Sequence, residues 1–382
     1  MSILSVALSA AVMNISLATL KGFSDEIRQK IRDINGDFII DSGENIEEGD
    51  PILIDNQTVA SLNGLNKIAG VDKVVKSSAK ACILKSEDEM EGLIAKGVSH
   101  KSITDVLKNF GTNPIPQNEK KWCVISKTTS KRLNLAVGDD LTIVIFKQTD
   151  SLQNIPKARR LKVSALFETG IDKIDQNTVF VEHEFLAQFL PPSKQFSNIE
   201  IWLKPNADKV KVRKKLLLSL PNSSVRLNSI EDYNRQIFDW LSILNTNIVV
   251  ILTLMALVAI TTMCTTLLIL VIERTSFIGL MLAMGTKMKD LQKVFIYQAI
   301  IITSIGVVLG NLITLVVATG QNYFHWISLN QEIYFIKHVT LKVTFMQIFL
   351  VDVGAIILIF GCLFLPVRYV RKTNIIKAIT FK

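Results

Sequence analysis

Four histidines, four cysteines and one acidic residue inside an apolar run are the groups from which this 382-residue chain could build a reactive centre. His100, His183, His325 and His338 have no ligand-type neighbour at i+3 or i+4, and Glu182-His183-Glu184 points to alternating sides of a strand or apart on a helix. Metal binding is not expected, because a helical site needs donors three or four residues apart. No GxxxxGK(S/T) loop is present, so the chain carries no phosphate cradle of that kind for ATP hydrolysis. Cys82 and Cys123 fall in a charged region, where a disulfide and two separate buried thiols are both consistent with the sequence, and Cys264 and Cys362 fall in apolar runs. Asp352 is the one formal charge deep in such a run. There an ionised carboxylate costs about 3 kcal/mol on insertion scales, so it should face protein or water. An ion pathway and a polar contact near the outer mouth of a helix bundle are the two roles open to it. No catalytic centre emerges.

The placement of apolar residues says more. Residues 1–20, 240–272 and 294–331 contain no Asp, Glu, Lys or Arg, and 343–367 carries only Asp352. Each run can cross a hydrocarbon core of roughly 30 Å as helix, which takes about 20 residues. Residues 21–240 hold 32 Lys and Arg against 30 Asp and Glu, the makeup of a water-exposed domain, whereas the rest holds 11 basic and 4 acidic residues. A mean hydropathy of +0.34 concentrated in blocks excludes an ordinary soluble enzyme. The expected fold is an α-helical membrane protein with four transmembrane helices (1+3) and a large extracytoplasmic α+β domain between the first and second. Its parts are a first transmembrane helix at 1–22, the outer domain with an amphipathic stalk at 23–240, and a three-helix membrane domain at 241–382.

Charge sets the topology. The tail carries Arg368, Arg371, Lys372, Lys377 and Lys382 with no acid, and the 273–293 loop carries Arg274, Lys287, Lys289 and Lys293 against Glu273 and Asp290. Short basic segments beside a span favour the cytoplasmic side, which puts 332–342 and the large domain outside. Residues 1–20 read as a retained span rather than a cleaved signal peptide, since they lack a basic n-region and Lys21 leads into the charged stretch Ser24–Arg32. A short basic segment upstream of Met1 would supply the inner flank that this span lacks.

In the outer domain, Phe23, Ile27, Ile31 and Ile34 form the stripe of an amphipathic helix that Gly36 ends. Strands are expected at 38–40, 71–75, 141–146, 161–169, 177–182 and 199–203, and helices at 59–68, from 182 to Pro191-Pro192, and at 209–218. Two subdomains divided near 75–125 would fit this order. The basic run 209–215 reads as a solvated helix face, not a nucleic-acid site. In the membrane half, Gly306-xxx-Gly310 allows close helix approach, within the bundle or between subunits. Glu273-Arg274 precedes a short apolar segment with Phe277, Ile278, Leu280, Met281 and Met284, in which Gly279 and Gly285 suggest close contact or a bend. Such a segment can lie on a bilayer or dock in another protein's groove.

Glu273, Arg274, Ile278, Gly279, Ala283 and Gly285, with Phe295 further on, resemble the ERxxxIGxxxAxG signature of permeases in the family of the cell-division protein FtsX and the macrolide exporter MacB. Within that family, SVALSAAVMNISLATLKGFSDEIRQKI (5–31), LNLAVGDDLTI (133–143, with Gly138 and Asp139), VSALFETGIDKIDQNTVFV (163–181, with Phe167, Glu168, Gly170 and Asp175) and the tail 365–381 resemble lipoprotein-releasing permeases of the LolC and LolE type. The family's basic segment ahead of the first span is absent, and Thr380 stands where an arginine is common.

The resemblance implies a non-catalytic subunit of the bacterial inner membrane, with 23–240 in the periplasm and 273–289 as a coupling segment docking on a cytoplasmic ABC ATPase dimer. It also implies a second permease subunit, the same or related, an acylated lipoprotein substrate drawn from membrane lipid, and a periplasmic lipoprotein carrier. The chain itself would bind no cofactor, ATP and Mg²⁺ belonging to the partner ATPase. A MacB-like exporter of small molecules or peptides and an FtsX-like regulator of cell-wall hydrolases share this topology.

Overall fold

The structure, a computed structural model, describes residues 2–42, 52–86, 89–110, 112, 115, 121–147, 155–221, 225–329, 336 and 338–362. The chain divides into two compact units, one of Met1–Glu26, Asp239–Leu329 and His338–Lys382, the other of Ile27–Phe238 with Asn330–Lys337. Helix α1 (Ser2–Asn35) contributes to both.

In the second unit, Ile27, Ile31 and Ile34 of α1 are buried at the expected helical spacing. Each fully buried isoleucine contributes about 1.5–3 kcal/mol. Gly36 ends the helix at φ +78°, and a Cβ there would stand 2.7 Å from the Ile201 carbonyl oxygen, so only glycine fits. The chain continues through β1 (Phe38–Asp41), α2 (Asn56–Ser61), a 3₁₀ turn (Leu62–Lys67), β2 (Val71–Lys85), β3 (Met90–Val98), α3 (His100–Asn109), β4 (Trp122–Ser126) and α4 (Lys127–Arg132). It then runs through β5 (Asp140–Lys147), β6 (Ile155–Phe167), α5 (Asp172–Asp175), β7 (Thr178–Glu182), α6 (His183–Ala187), β8 (Asn198–Leu203), α7 (Lys209–Ser219), β9 (Arg226–Ser229) and α8 (Ile230–Tyr233).

Strand β2 belongs to two sheets. Its first half pairs antiparallel with β8, extending a sheet ordered β2-β8-β1-β9. From Ser78 onward it pairs with β3 and β5, and the pairings β3–β7, β7–β4, β4–β6 and β6–β5 close the strands into a six-membered ring. The ring is a barrel filled by alternate residues of its strands, among them Cys82, Leu84, Cys123, Ile125, Ile143, Ile145, Val179 and Val181. The four-stranded sheet has its own core, where Phe38, Ile40, Ile199 and Ile201 meet Val212 and Leu216 of α7.

Several expectations are corrected here. The 59–68 helix is split into α2 and a 3₁₀ turn. The subdomains do not separate along the chain at 75–125, since β2 runs through both and β8 and β9 return from later sequence to complete the sheet.

The first unit holds α9 (Arg235–Glu273), α10 (Thr275–Ala283), α11 (Met288–Phe324) and α12 (Phe345–Cys362) beside the start of α1. Among the described residues, three helices are long and apolar enough to cross a membrane: Ser2–Asn35, Arg235–Leu270 and Lys293–Phe324. The fourth expected span falls short by that criterion: its apolar part, Phe345–Ile357, is a shorter helix, and residues 363–367 lie outside the described residues. The third span also stops before 331, because His325 takes a left-handed φ of +53°.

Close approach replaces large side chains as the packing device of this unit. A Cβ on Gly306 would lie 2.8 Å from the Val6 side chain, and one on Gly310 would lie 2.7 Å from the Ala7 carbonyl oxygen. The 306/310 pair thus packs on α1 of the same chain. At Gly22 a Cβ would fall 1.9 Å from the Thr340 oxygen, where the segment before α12 crosses α1 and Lys342 N–H donates to the Ala18 carbonyl (3.1 Å). Val249, Val250, Leu254, Leu257 and Val258 of α9 are exposed. Hydrocarbon solvates such a surface and water does not.

Candidate functional site

The segment between the second and third apolar helices is built as a short two-faced helix. Helix α9 ends at Glu273, Arg274 breaks the regular φ/ψ run, and α10 follows at once, with Ile278 N–H donating to the Arg274 carbonyl (2.9 Å). At its other end Gly285 has φ +90°, Thr286 N–H reaches back to Met281 O (3.1 Å) and Gly285 N–H to Leu282 O (3.1 Å). This pair of bonds is a Schellman cap, which requires the left-handed residue that glycine supplies. No atom lies within 4 Å of a Cβ built on Gly285, so of the two roles expected for it, close contact or a bend, the backbone geometry matches the bend.

Ile278, with Met281 and Leu282, packs on Leu270 of α9 and on Leu291 and Phe295 of α11, and Gly279 is buried beside it. On the opposite side Phe277 (49%), Leu280 (57%) and Met284 (64%) are exposed, with Ala283 between them. Their i, i+3, i+7 spacing makes one apolar row. Glu273 and Arg274 are exposed at its start.

The family-like positions of the extracytoplasmic unit are structural staples. Asp175 is buried, and its carboxylate accepts from Thr169 N–H (3.1 Å), Thr169 Oγ1 (2.8 Å) and Gly170 N–H (2.9 Å). Burial raises this carboxyl above the usual carboxylate range, against the pull of those three donors. The Asp175 carbonyl in turn accepts from Ser126 Oγ and Thr129 Oγ1, which fastens the 168–175 turn to α4. Phe167 stacks edge-on against Phe180 (5.1 Å), and Glu168 pairs with Lys127 (2.9 Å). At the second turn, Gly138 N–H donates to Val163 O (2.7 Å), and Asp139 accepts from Ala136 N–H (2.7 Å).

Asp352 accepts a hydrogen bond from Asn311 Nδ2 (2.8 Å), and Asn311 Oδ1 accepts from Asn14 Nδ2 (2.8 Å). Three apolar helices, α1, α11 and α12, are thereby joined through one polar chain. Sequence reasoning missed both asparagines because they carry no formal charge, although an Asn inside an uncharged run is the signal that finds them.

Cys82 and Cys123 are buried thiols of the barrel core, and Cys123 Sγ donates to the Lys162 carbonyl (3.3 Å). His183 Nδ1 meets Ser78 Oγ (3.0 Å), its ring stacks on Phe196, and burial lowers its pKa. His325 and His338 come into ring contact (4.6 Å), a juxtaposition their separation in sequence conceals. Among the described residues no group of three or more His, Cys, Asp or Glu could hold a metal ion.

Residues 249–375 match the family described as FtsX-like permease C-terminal. The chain is similar to the lipoprotein-releasing system transmembrane protein LolC of Xylella fastidiosa strain 9a5c, 21% identical over 378 residues covering 94% of this chain and 88% of that protein. Against LolC of strain Temecula1 the identity is 24% over 194 residues, covering 50% of this chain and 45% of that protein. The likeness to LolE of Haemophilus influenzae is 21% over 373 residues, covering 94% of this chain and 88% of that one. Among solved structures, the periplasmic region of MacB from Actinobacillus actinomycetemcomitans aligns at a TM-score of 0.36 and 13% identity, over 55% of this chain and 97% of that one.

Proposed function

We propose that this chain is a permease of the FtsX/MacB-like kind and the non-catalytic membrane subunit of an ATP-driven lipoprotein-releasing complex. The observation that carries the reading is the two-faced helix α10. Ile278, Met281 and Leu282 anchor it to the membrane helices, and the row Phe277, Leu280 and Met284 is left for a partner. On this reading the partner is a cytoplasmic ABC ATPase dimer, which holds ATP and Mg²⁺ and presses on α10 as it closes. Glu273 and Arg274 orient the segment through headgroup or intersubunit contacts.

Residues 23–240 face the periplasm on this reading, with α12 as the fourth span and the basic tail inside. That assignment follows the cytoplasmic bias of short basic segments. Asp352 is a polar tie among spans, bonded to Asn311. A second permease subunit, the same or related, completes the complex, and an acylated lipoprotein leaves it for a periplasmic carrier. Each buried CH₂ of the lipid anchor is worth about 0.8 kcal/mol, so extraction needs work from outside the membrane. The 94% coverage by alignments to LolC and LolE favours lipoprotein release over small-molecule export or hydrolase regulation.

The test is reconstitution of the chain with its co-purifying ATPase in liposomes holding a triacylated lipoprotein. ATP-dependent release to an added carrier is expected. Vigorous ATP hydrolysis with no lipoprotein released would overturn the substrate assignment.

A further inference from the structure

The end of the α1 stalk is tied to both parts of the extracytoplasmic unit, by different chemistry on each side. Toward the four-stranded sheet, Arg32 pairs with Asp37 (3.0 Å) and donates to Leu203 O (2.7 Å), Trp202 Nε1 donates to Arg32 O (2.9 Å), and Asp37 accepts from Leu203 N–H (2.8 Å). Toward the barrel, two lysines make the bonds. Lys96, on barrel strand β3, is buried and directs its ammonium at Glu200 Oε1 (2.6 Å), Ile34 O (3.3 Å) and Asn35 Oδ1 (3.1 Å). Those three acceptors use all three of its N–H donors. Lys30, on the stalk, donates to the carbonyl of Thr169 (3.0 Å), inside the turn that Asp175 staples.

A buried ammonium is retained only where each donor is met, and here two of its three acceptors are the last residues of the stalk. Glu200 is held in turn by Ser77 Oγ (3.0 Å), at the place where β2 passes from the sheet to the barrel. The turn stapled by Asp175 likewise offers the stalk a carbonyl held in place on both sides, by Thr169 and Gly170 donating to Asp175. We propose that Lys96 and Lys30 are positioning residues that make the barrel move with the stalk, so that displacement arriving along α1 is delivered to the barrel and not lost at the junction. The idea rests on the reading above in which a partner ATPase presses on α10 as it closes, extended to transmission of that motion to the periplasmic domain, and it gives the Phe167–Asp175 segment a task.

The experiment uses the complete complex in liposomes, with spin labels at exposed Gln29 on the stalk and exposed Val137 on a barrel turn. In the wild type the label distance stays in one narrow distribution with and without ATP. In Lys30→Met and Lys96→Met it broadens or splits when ATP is added, and lipoprotein released per ATP hydrolysed falls at least five-fold while ATP hydrolysis stays within two-fold. Lys30→Arg, which keeps the donor, restores both readouts. Should Lys96→Met not fold, because Glu200 is left as a buried unpaired charge, the pair Lys96→Met with Glu200→Gln takes its place. Narrow, ATP-invariant distances in the folded variants would overturn the proposal. A wild-type complex that releases no lipoprotein yet shows this distance behaviour would sink the substrate assignment and leave the two bridges standing.

Discussion

In the extracytoplasmic unit Lys96 meets three acceptors and Asp175 three donors, whereas in the membrane unit the Asn14–Asn311–Asp352 chain leaves Asn14 Oδ1 and Asp352 Oδ1 buried without a hydrogen-bond partner. The packing differs in the same sense. Leucine, isoleucine and valine fill the barrel and sheet, while Gly22, Gly306 and Gly310 let backbones meet in the membrane unit. Water supplies the drive for the first kind of packing. Lipid tails offer no such drive, so the second depends on close contact.

Substitutions at the membrane glycines should break this contrast most severely. Gly22→Val drives a side chain into the Thr340 carbonyl and should cost at least about 3 kcal/mol, seen as lost folded yield in detergent. Gly354→Ala, where a Cβ meets nothing within 4 Å, should leave the thermal midpoint unchanged; equal damage at both positions would remove the packing argument. Next in size, Asp175→Ala strands two buried backbone donors and should destabilise the protein by about 3 kcal/mol, with Asp175→Asn roughly half as harmful, measured by chemical unfolding. Gly285→Ala incurs only backbone strain at φ +90°, about 1 kcal/mol, and should weaken α10's cap while α9 and α11 stay folded by hydrogen exchange.

The smallest effect is one of pH. Burial pushes the Glu231 carboxyl up, but the hydrogen bonds and charge of Lys209, together with bonds from its own backbone N–H and from Ser229, outweigh it and hold the group below its usual value. A carboxyl depressed by folding adds stability above its unfolded pKa and loses it as pH falls through the folded one. Glu231→Gln should therefore lower the thermal midpoint slightly at neutral pH and converge with the wild type in acid. A uniform difference at every pH would contradict this.

Local pattern carried the α1 stripe and the Gly36 stop straight from sequence to structure. Ring closure was not legible, because the pairings of β2 with β3, β5 and β8 join distant segments and no local period encodes a partner. The Phe167-Glu168-Thr169-Gly170 and Asp175 likeness was visible as residues, yet its task was not: a carboxylate folding back on its own turn looks like any exposed Asp until Thr169 and Gly170 are placed. Asn14 and Asn311 carry no formal charge, so counting charged residues does not set them apart from the apolar runs that hold them.

The coupling role of α10 turns on whether its outer row meets the ATPase. Phe277→Glu with Leu280→Glu places charge on that row without touching Ile278, Leu291 or Phe295, and the readout is the amount of ATPase that co-purifies with the full chain. Loss of the ATPase at an unchanged thermal midpoint is the predicted result. Undiminished co-purification, together with normal ATP-dependent lipoprotein release, would contradict the coupling role of this segment.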